Sequence, residues 1–215
     1  MTALLLFTLS LNGNILDPVD ILIKGGIVVT VDENARVLTG GAVGIVDDRI
    51  TIVLKSSDSL PKAKKTVYAK GHLIIPGLVN THGHAAMTLL RGLADDLTLT
   101  DWLEKYIFPI EARHVSQKFV YTGTLLGCIE MVKTGTTTYA DMYYFENEVA
   151  RATEAVGIRG VLGQTIVGFA APDYETPEQA LLGAEIFIEK YKTHPLIIPS
   201  IAPHALYTTP LGIIA

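Results

Sequence analysis

His82 and His84 stand two positions apart, directly after the apolar run Leu73-Ile74-Ile75-Pro76-Gly77-Leu78-Val79. On an extended segment, side chains at i and i+2 project to the same side. A strand ending here would carry both imidazoles to one rim of a sheet. Neutral imidazoles are ligands for zinc or iron. An H-x-H pair alone arises often by chance. The string Pro76-Gly-Leu-Val-Asn-Thr-His-Gly-His84 is more specific. A buried strand that runs into a turn and then two histidines is what a divalent-metal site at a strand end requires.

Catalytic metal sites normally take three protein ligands and keep one position open, so further donors must come from elsewhere. His204 ends a later apolar run, Asp141 ends another, and Glu111 closes a long connection in Phe108-Pro-Ile-Glu111. In a barrel of alternating strands and helices these positions converge on one rim. Each also has a plainer reading. His204 could cap a strand end, Asp141 could bond backbone amides, and Glu111 could be solvated. Trp102 could be a packing anchor or a pocket wall. His72, His114 and His194 are isolated and receive no role. A bound divalent metal lowers the pKa of a water to roughly 7, which suits hydrolysis at an electrophilic carbon. That carbon could belong to an amide or to an amino-bearing heteroaromatic ring.

The elements that must position these groups fall into two textures. Residues 20–31, 42–46 and 49–54 read as short strands joined by turns at Gly40-Gly41 and Asp47-Asp48, a small antiparallel unit. From Gly71 onward strands alternate with helices. The strands are 73–80, 136–141, 159–166 and 196–203, and the helices are 116–133, 146–156 and 177–192. Thr176, Pro177 and Gln179 form a capping box at the start of the last helix. Gly157 reads as the glycine that stops the middle one. Gly123 and Gly127 give the first helix a flat side suited to packing on a sheet. Alternation of this kind implies a parallel sheet with right-handed crossovers. The fold class is therefore α/β: a truncated (β/α)8 barrel of about four strands, preceded by a small β-sandwich portion. The expected domains are an extension over 1–18, the sandwich portion over 19–70 and the barrel half over 71–215. The connection 85–115 is long for such a scaffold. It holds Trp102, Tyr106 and Phe108, so a folded lid or pocket wall is expected there.

Bulk properties narrow the partners. The chain has 215 residues, 49% hydrophobic and 18% charged, as a buried enzyme-like core requires. A net charge of −5 argues against a nucleic-acid backbone as partner. The cluster Lys62-Ala-Lys-Lys65 reads as a solvated loop. A single cysteine, Cys128, excludes an internal disulfide and sits in a helical pattern as a small core residue. The opening Met1 to Leu11 is apolar but too short to span a bilayer, and no basic residue precedes it as in a secretory leader. No membrane partner and a cytoplasmic location are expected.

With these residues in place, the chain resembles the amidohydrolase superfamily, and within it the 5′-methylthioadenosine/S-adenosylhomocysteine deaminases. The resemblance rests on Pro76 through Asp96, on Asp101-Trp-Leu103, on Ile107-Phe-Pro-Ile-Glu111, on Gly135-Thr-Thr-Thr-Tyr-Ala-Asp-Met-Tyr143 and on Pro203-His204. It spans about residues 20–210. It implies that His82 and His84 hold one divalent metal, zinc or alternatively iron. It implies that Glu111 bonds the ribose hydroxyls of a purine nucleoside, that Trp102 lines the purine pocket, and that His204 contacts the nucleoside rather than the metal. It also implies that the remaining metal ligands and the acid/base carboxylate follow residue 215, so no catalytic residue is expected within this chain. The expected molecule is then a fragment, a split-gene half or a chain that pairs with its own copy, inactive alone.

The implied reaction is hydrolytic deamination of an adenosine derivative. One alternative is hydrolysis of C–N or C–Cl bonds on triazine, guanine or pyrimidine rings by the same machinery. A dihydroorotase-type reaction is disfavoured, because the strand before His204 ends without the lysine that bridges two metals in such enzymes. The non-enzyme alternative is an inert remnant that keeps the histidine pair.

Overall fold

The structure, a computed structural model, describes residues 17–214. The apolar opening segment therefore lies outside the described residues. The chain divides into two units, the first ending at Pro76 and the second beginning at Gly77.

The first unit is a five-stranded sheet made of β1 (Val19–Val29), β2 (Val37–Val46), β3 (Arg49–Leu54), β4 (Ala63–Tyr68) and β5 (Leu73–Ile74). Strands β1, β2 and β3 pair antiparallel in sequence, but β4 and β5 both pair parallel with β1. The unit is thus mixed rather than antiparallel. Two details of the sequence reading are corrected here. Gly40 and Gly41 lie inside β2 instead of forming a turn. Lys64 and Lys65 belong to β4 rather than a loop, and Lys64 pairs with Asp20 on β1 at 2.7 Å. Lys64 and Lys65 are adjacent and both exposed, a run too polar and without the alternation that would announce a strand. Backbone pairing with the apolar β1 decides the matter. Val19, Leu22, Ala42, Ile52 and Leu54 form the small core.

The second unit is α/β. Strands β6 (Leu78–Asn80), β7 (Thr136–Tyr143), β8 (Arg159–Ile166) and β9 (Ile197–Pro203) lie side by side in chain order, all parallel. The predicted strand 73–80 is split. Leu73–Ile74 joins the first sheet and Leu78–Asn80 the second, with Pro76 and Gly77 between them. Proline has no N–H to give a ladder, and Thr137 packs against Gly77 where a Cβ would lie only 2.2 Å away.

The connection from β6 to β7 is helical throughout much of its length. It contains a 3-10 turn over Ala85–Leu90, then α1 (Leu99–Trp102), a π-helical turn over Leu103–Ile107, α2 (Phe108–His114) and α3 (Gln117–Lys133). Later helices are α4 (Glu146–Val156), α5 (Pro177–Tyr191) and α6 (Leu211–Ile214). Helix α4 ends where Gly157 takes a left-handed conformation at φ 80°. Helix α5 starts at Thr176, whose side chain accepts from the Gln179 N–H at 3.3 Å. The Gln179 side chain bonds the Glu175 N–H rather than that of Thr176, so only half of the expected capping box is made.

The flat side of α3 does not meet the sheet, contrary to the sequence reading. It meets the turn that follows His84. A Cβ on Gly123 would lie 2.2 Å from the Ala86 carbonyl oxygen. Backbone therefore rests on backbone there, and only glycine leaves the room. Tyr139, Leu162, Val149, Phe187 and Cys128 fill the core between sheet and helices. No helix of the described residues is long and apolar enough to cross a membrane.

Candidate active site

The histidine loop is held through its backbone to Asn80 at the end of β6 and to Met142 and Asp141 on β7. Asn80 Oδ1 accepts from the His82 N–H at 3.2 Å, and the Met142 N–H donates to the Gly83 carbonyl oxygen at 3.4 Å. The Ala85 N–H donates to Asp141 Oδ1 at 2.7 Å. Asp141 is buried, and its other oxygen has no partner among the described residues. Burial pushes its carboxyl up to about 7, opposed by the bond from Ala85. The structure thus gives Asp141 the backbone-binding position that its plainer reading described.

The two imidazoles lie edge to face with centroids 5.1 Å apart. His84 is half-buried and His82 is exposed. His84 Nδ1 lies 2.8 Å from the Met142 carbonyl oxygen. A carbonyl only accepts, so Nδ1 carries the proton and Nε2 of the neutral ring keeps its lone pair. This arrangement is the one that orients metal-binding histidines in general. The residues present therefore fit a contribution of two nitrogen donors to a divalent cation. No third His, Cys, Asp or Glu joins them to make a group of three among the described residues.

A cavity of about 150 Å3 opens beside His84. Its walls include Trp102, Glu111, Tyr143 and His204 as well as Met87 and Phe108. His82 is not one of its lining residues. Four of the six residues singled out from the sequence thus surround one space, brought there from a loop, two helices of the long connection and the end of β9. Glu111 sits on α2 rather than in a loop and is 4% exposed. Burial raises its carboxyl, while hydrogen bonds from Tyr143 and Tyr144 oppose the rise. The Tyr143 hydroxyl donates to Glu111 Oε1 at 2.6 Å.

His204 follows β9, and its Nδ1 lies 2.8 Å from Thr208 Oγ1. The Thr208 hydroxyl donates its only proton to the Ala205 carbonyl oxygen at 3.3 Å. It must then accept from Nδ1–H, which leaves Nε2 of His204 as an acceptor. Burial, and secondarily the nearness of the His84 imidazole, hold His204 below the ordinary histidine range. A second cavity of about 470 Å3 shares Glu111, Phe108, Tyr144 and Tyr207 with the first. Neither cavity is lined by lysine or arginine.

Sequence reasoning passed over Tyr143, Tyr144 and Met87. Tyr143 stood in the quoted segment ending at that residue, two positions beyond Asp141 on the same strand. That alternation was the signal that could have found it.

Comparison with known proteins follows the same lines. Over 195 residues the chain is 44% identical to a 5-methylthioadenosine/S-adenosylhomocysteine deaminase of Syntrophus aciditrophicus (strain SB), covering 90% of this chain and 44% of that protein. The chain therefore spans less than half the length of this curated relative. An adenosine deaminase from Xanthomonas campestris, solved with bound zinc, superposes with a TM-score of 0.88 at 35% identity, over 92% of this chain and 46% of that one. An atrazine chlorohydrolase from Arthrobacter aurescens TC1, also with zinc, shares the fold at a TM-score of 0.78 and 20% identity, over 90% of this chain and 48% of that one. Residues 73–213, well over half of the chain, match the Amidohydrolase family. With a parallel α/β sheet presenting a histidine pair at the tip of its first strand, this chain belongs to the amidohydrolase family.

Proposed function

We propose that this chain supplies the nucleoside-recognition side of a metal-dependent deaminase that acts on the 6-amino group of an adenosine derivative, of the 5′-methylthioadenosine or S-adenosylhomocysteine type. The observation that carries this reading is the single cavity bounded by His84, Trp102, Glu111 and His204. His82 and His84 would hold the metal through imidazole nitrogens, with zinc favoured by the zinc in the Xanthomonas campestris relative. When bound, such an ion supplies a Lewis acid and an acidified water.

The rest of the work falls to side chains. Trp102 forms an apolar wall for the purine. His204, neutral and with Nε2 free of a proton, accepts from a donor on the nucleoside. Glu111 accepts from ribose hydroxyls at the junction of the two cavities. A buried carboxylate without a cation beside it keeps lone pairs beyond those that Tyr143 and Tyr144 use, and sugar hydroxyls can fill them, which is why a sugar suits this wall better than a bare ring. The overall reaction replaces the amino group with oxygen from water and releases ammonia. No proton transfer is assigned to these side chains, so the chain alone is expected to bind without turning over.

In the same reading, β6 to β9 form four strands of a (β/α)8 barrel, and the mixed sheet β1 to β5 is part of a β-sandwich; the sheet runs to Ile74, so the expected boundary at 70 moves to Pro76. Leu78 and Val79 on β6 are open to solvent, apolar surface that barrel closure would bury. A C-terminal half or a second copy of the chain is the partner expected to supply the other strands, in a cytoplasmic setting.

Binding measured through Trp102, the single tryptophan, tests the proposal. Glu111→Gln should weaken adenosine binding by roughly tenfold, as for a lost bond to a charged group, and leave adenine nearly unchanged. Equal losses for both ligands would assign the cavity to a bare heteroaromatic ring instead.

A further inference from the structure

Glu111 is a carboxylate in a wall without lysine or arginine, and its donors are the phenols of Tyr143 and Tyr144. Tyr143 is 4% exposed and stands at the end of β7, its ring 5.0 Å from that of Tyr144. Its hydroxyl bond to Oε1 joins the sheet to α2, the short helix that presents Glu111. A carboxylate at the end of a glutamate side chain rotates easily, and the 2.6 Å bond from the rigid buried ring of Tyr143, joined by a bond from Tyr144, fixes its plane.

We infer that Tyr143 is the positioning residue for Glu111, holding Oε1 so that the carboxylate's remaining lone pairs are aimed at hydroxyl groups of the ligand. Selectivity for a sugar diol over a deoxygenated sugar then depends on a side chain that need not touch the diol. The inference rests on the proposed recognition of ribose by Glu111.

The test measures binding of adenosine and 2′,3′-dideoxyadenosine to the full chain and to Glu111→Gln, Tyr143→Phe and the double variant, by titration calorimetry. Tyr143→Phe should weaken adenosine by about tenfold, the size of one hydrogen bond to a charged group, and dideoxyadenosine by less than about twofold. The double variant should be no weaker than Glu111→Gln alone, since the two act as one unit. Equal weakening of both ligands by Tyr143→Phe means a merely structural role and overturns the inference. A Glu111→Gln variant that does not distinguish the two ligands, or an unaltered chain that binds no adenosine, overturns the ribose reading itself. If Tyr143→Phe does not fold, the hydroxyl proton of Tyr143 is followed by NMR. It should resonate downfield, disappear in Glu111→Gln, and shift with adenosine but not with dideoxyadenosine. Absence of that shift overturns the inference.

Discussion

The Nδ1–H of His84 donates to the carbonyl oxygen of Met142, 2.8 Å away on the neighbouring strand. A backbone acceptor on β7 thereby selects the tautomer of a side chain carried by the loop after β6. Nε2, the nitrogen proposed to hold the metal, is left without a proton. His84→Asn should separate the two duties of this residue. An asparagine amide can keep the bond to Met142 but offers no imidazole lone pair. Thermal stability should stay within about 1 kcal/mol of the parent, the worth of one such bond, while zinc uptake by equilibrium dialysis is lost. His82→Ala should also abolish uptake. Retained zinc in both variants would remove the pair from the metal site.

Gly123 lies under Ala86, and the backbone of α3 supports the turn that follows His84. Gly123→Ala should cost about 1–3 kcal/mol through overpacking and should weaken zinc binding with it. Gly127→Ala should be milder, because its added Cβ would stand 3.2 Å from the Ala85 carbonyl oxygen rather than 2.2 Å from that of Ala86. Chemical denaturation of the two variants in parallel would reveal the ranking. A Gly127 variant less stable than the Gly123 variant would contradict the packing described.

Glu146 opens α4 with both carboxylate oxygens buried and unpartnered among the described residues. Burial, together with the negative charge of Asp141, holds its carboxyl well above the ordinary range, and nearby backbone amides offset only part of this. A folded-state value raised above the unfolded one contributes stability that is full in acid. That stability disappears as pH climbs past the ordinary carboxylate range towards the folded value. Melting temperature should therefore fall from mildly acidic to neutral pH in the parent. Glu146→Gln should flatten that slope. An unchanged slope in the variant would mean that Glu146 is ionised in the fold.

Thr176 caps α5 with one side-chain bond to the Gln179 N–H. Thr176→Ala should cost about 1 kcal/mol of stability. Gln179→Ala should cost less, because its side chain serves the exposed Glu175 amide. Urea unfolding of both variants checks the order.

Much of the second unit could be read from local signals. Helix 146–156 was legible because Gly157 stops it. Strand 159–166 was legible as an apolar run after a turn. The first unit was harder. Strand β4 is rich in lysine and pairs with β1 across a long stretch of sequence, so nothing local marks it. The site divides in the same way. The histidine pair was visible because both residues sit within three positions. The bonds that orient His84 and Glu111 join them to Met142 and Tyr143, more than thirty residues away in sequence, and only the tertiary fold brings them close. Trp102 and Glu111 were singled out, but their helical setting was not. The connection that carries them has no sustained helical period, only short turns of different pitch.

The split of the run 73–80 has a practical consequence for dissecting the molecule. A cut after residue 70, where composition changes, would strip the β5 edge from the first sheet and leave it as a loose leader on the second. An excision that respects the hydrogen-bond ladders begins at Gly77, and the isolated piece would keep the entire cavity around Trp102 for ligand work on its own.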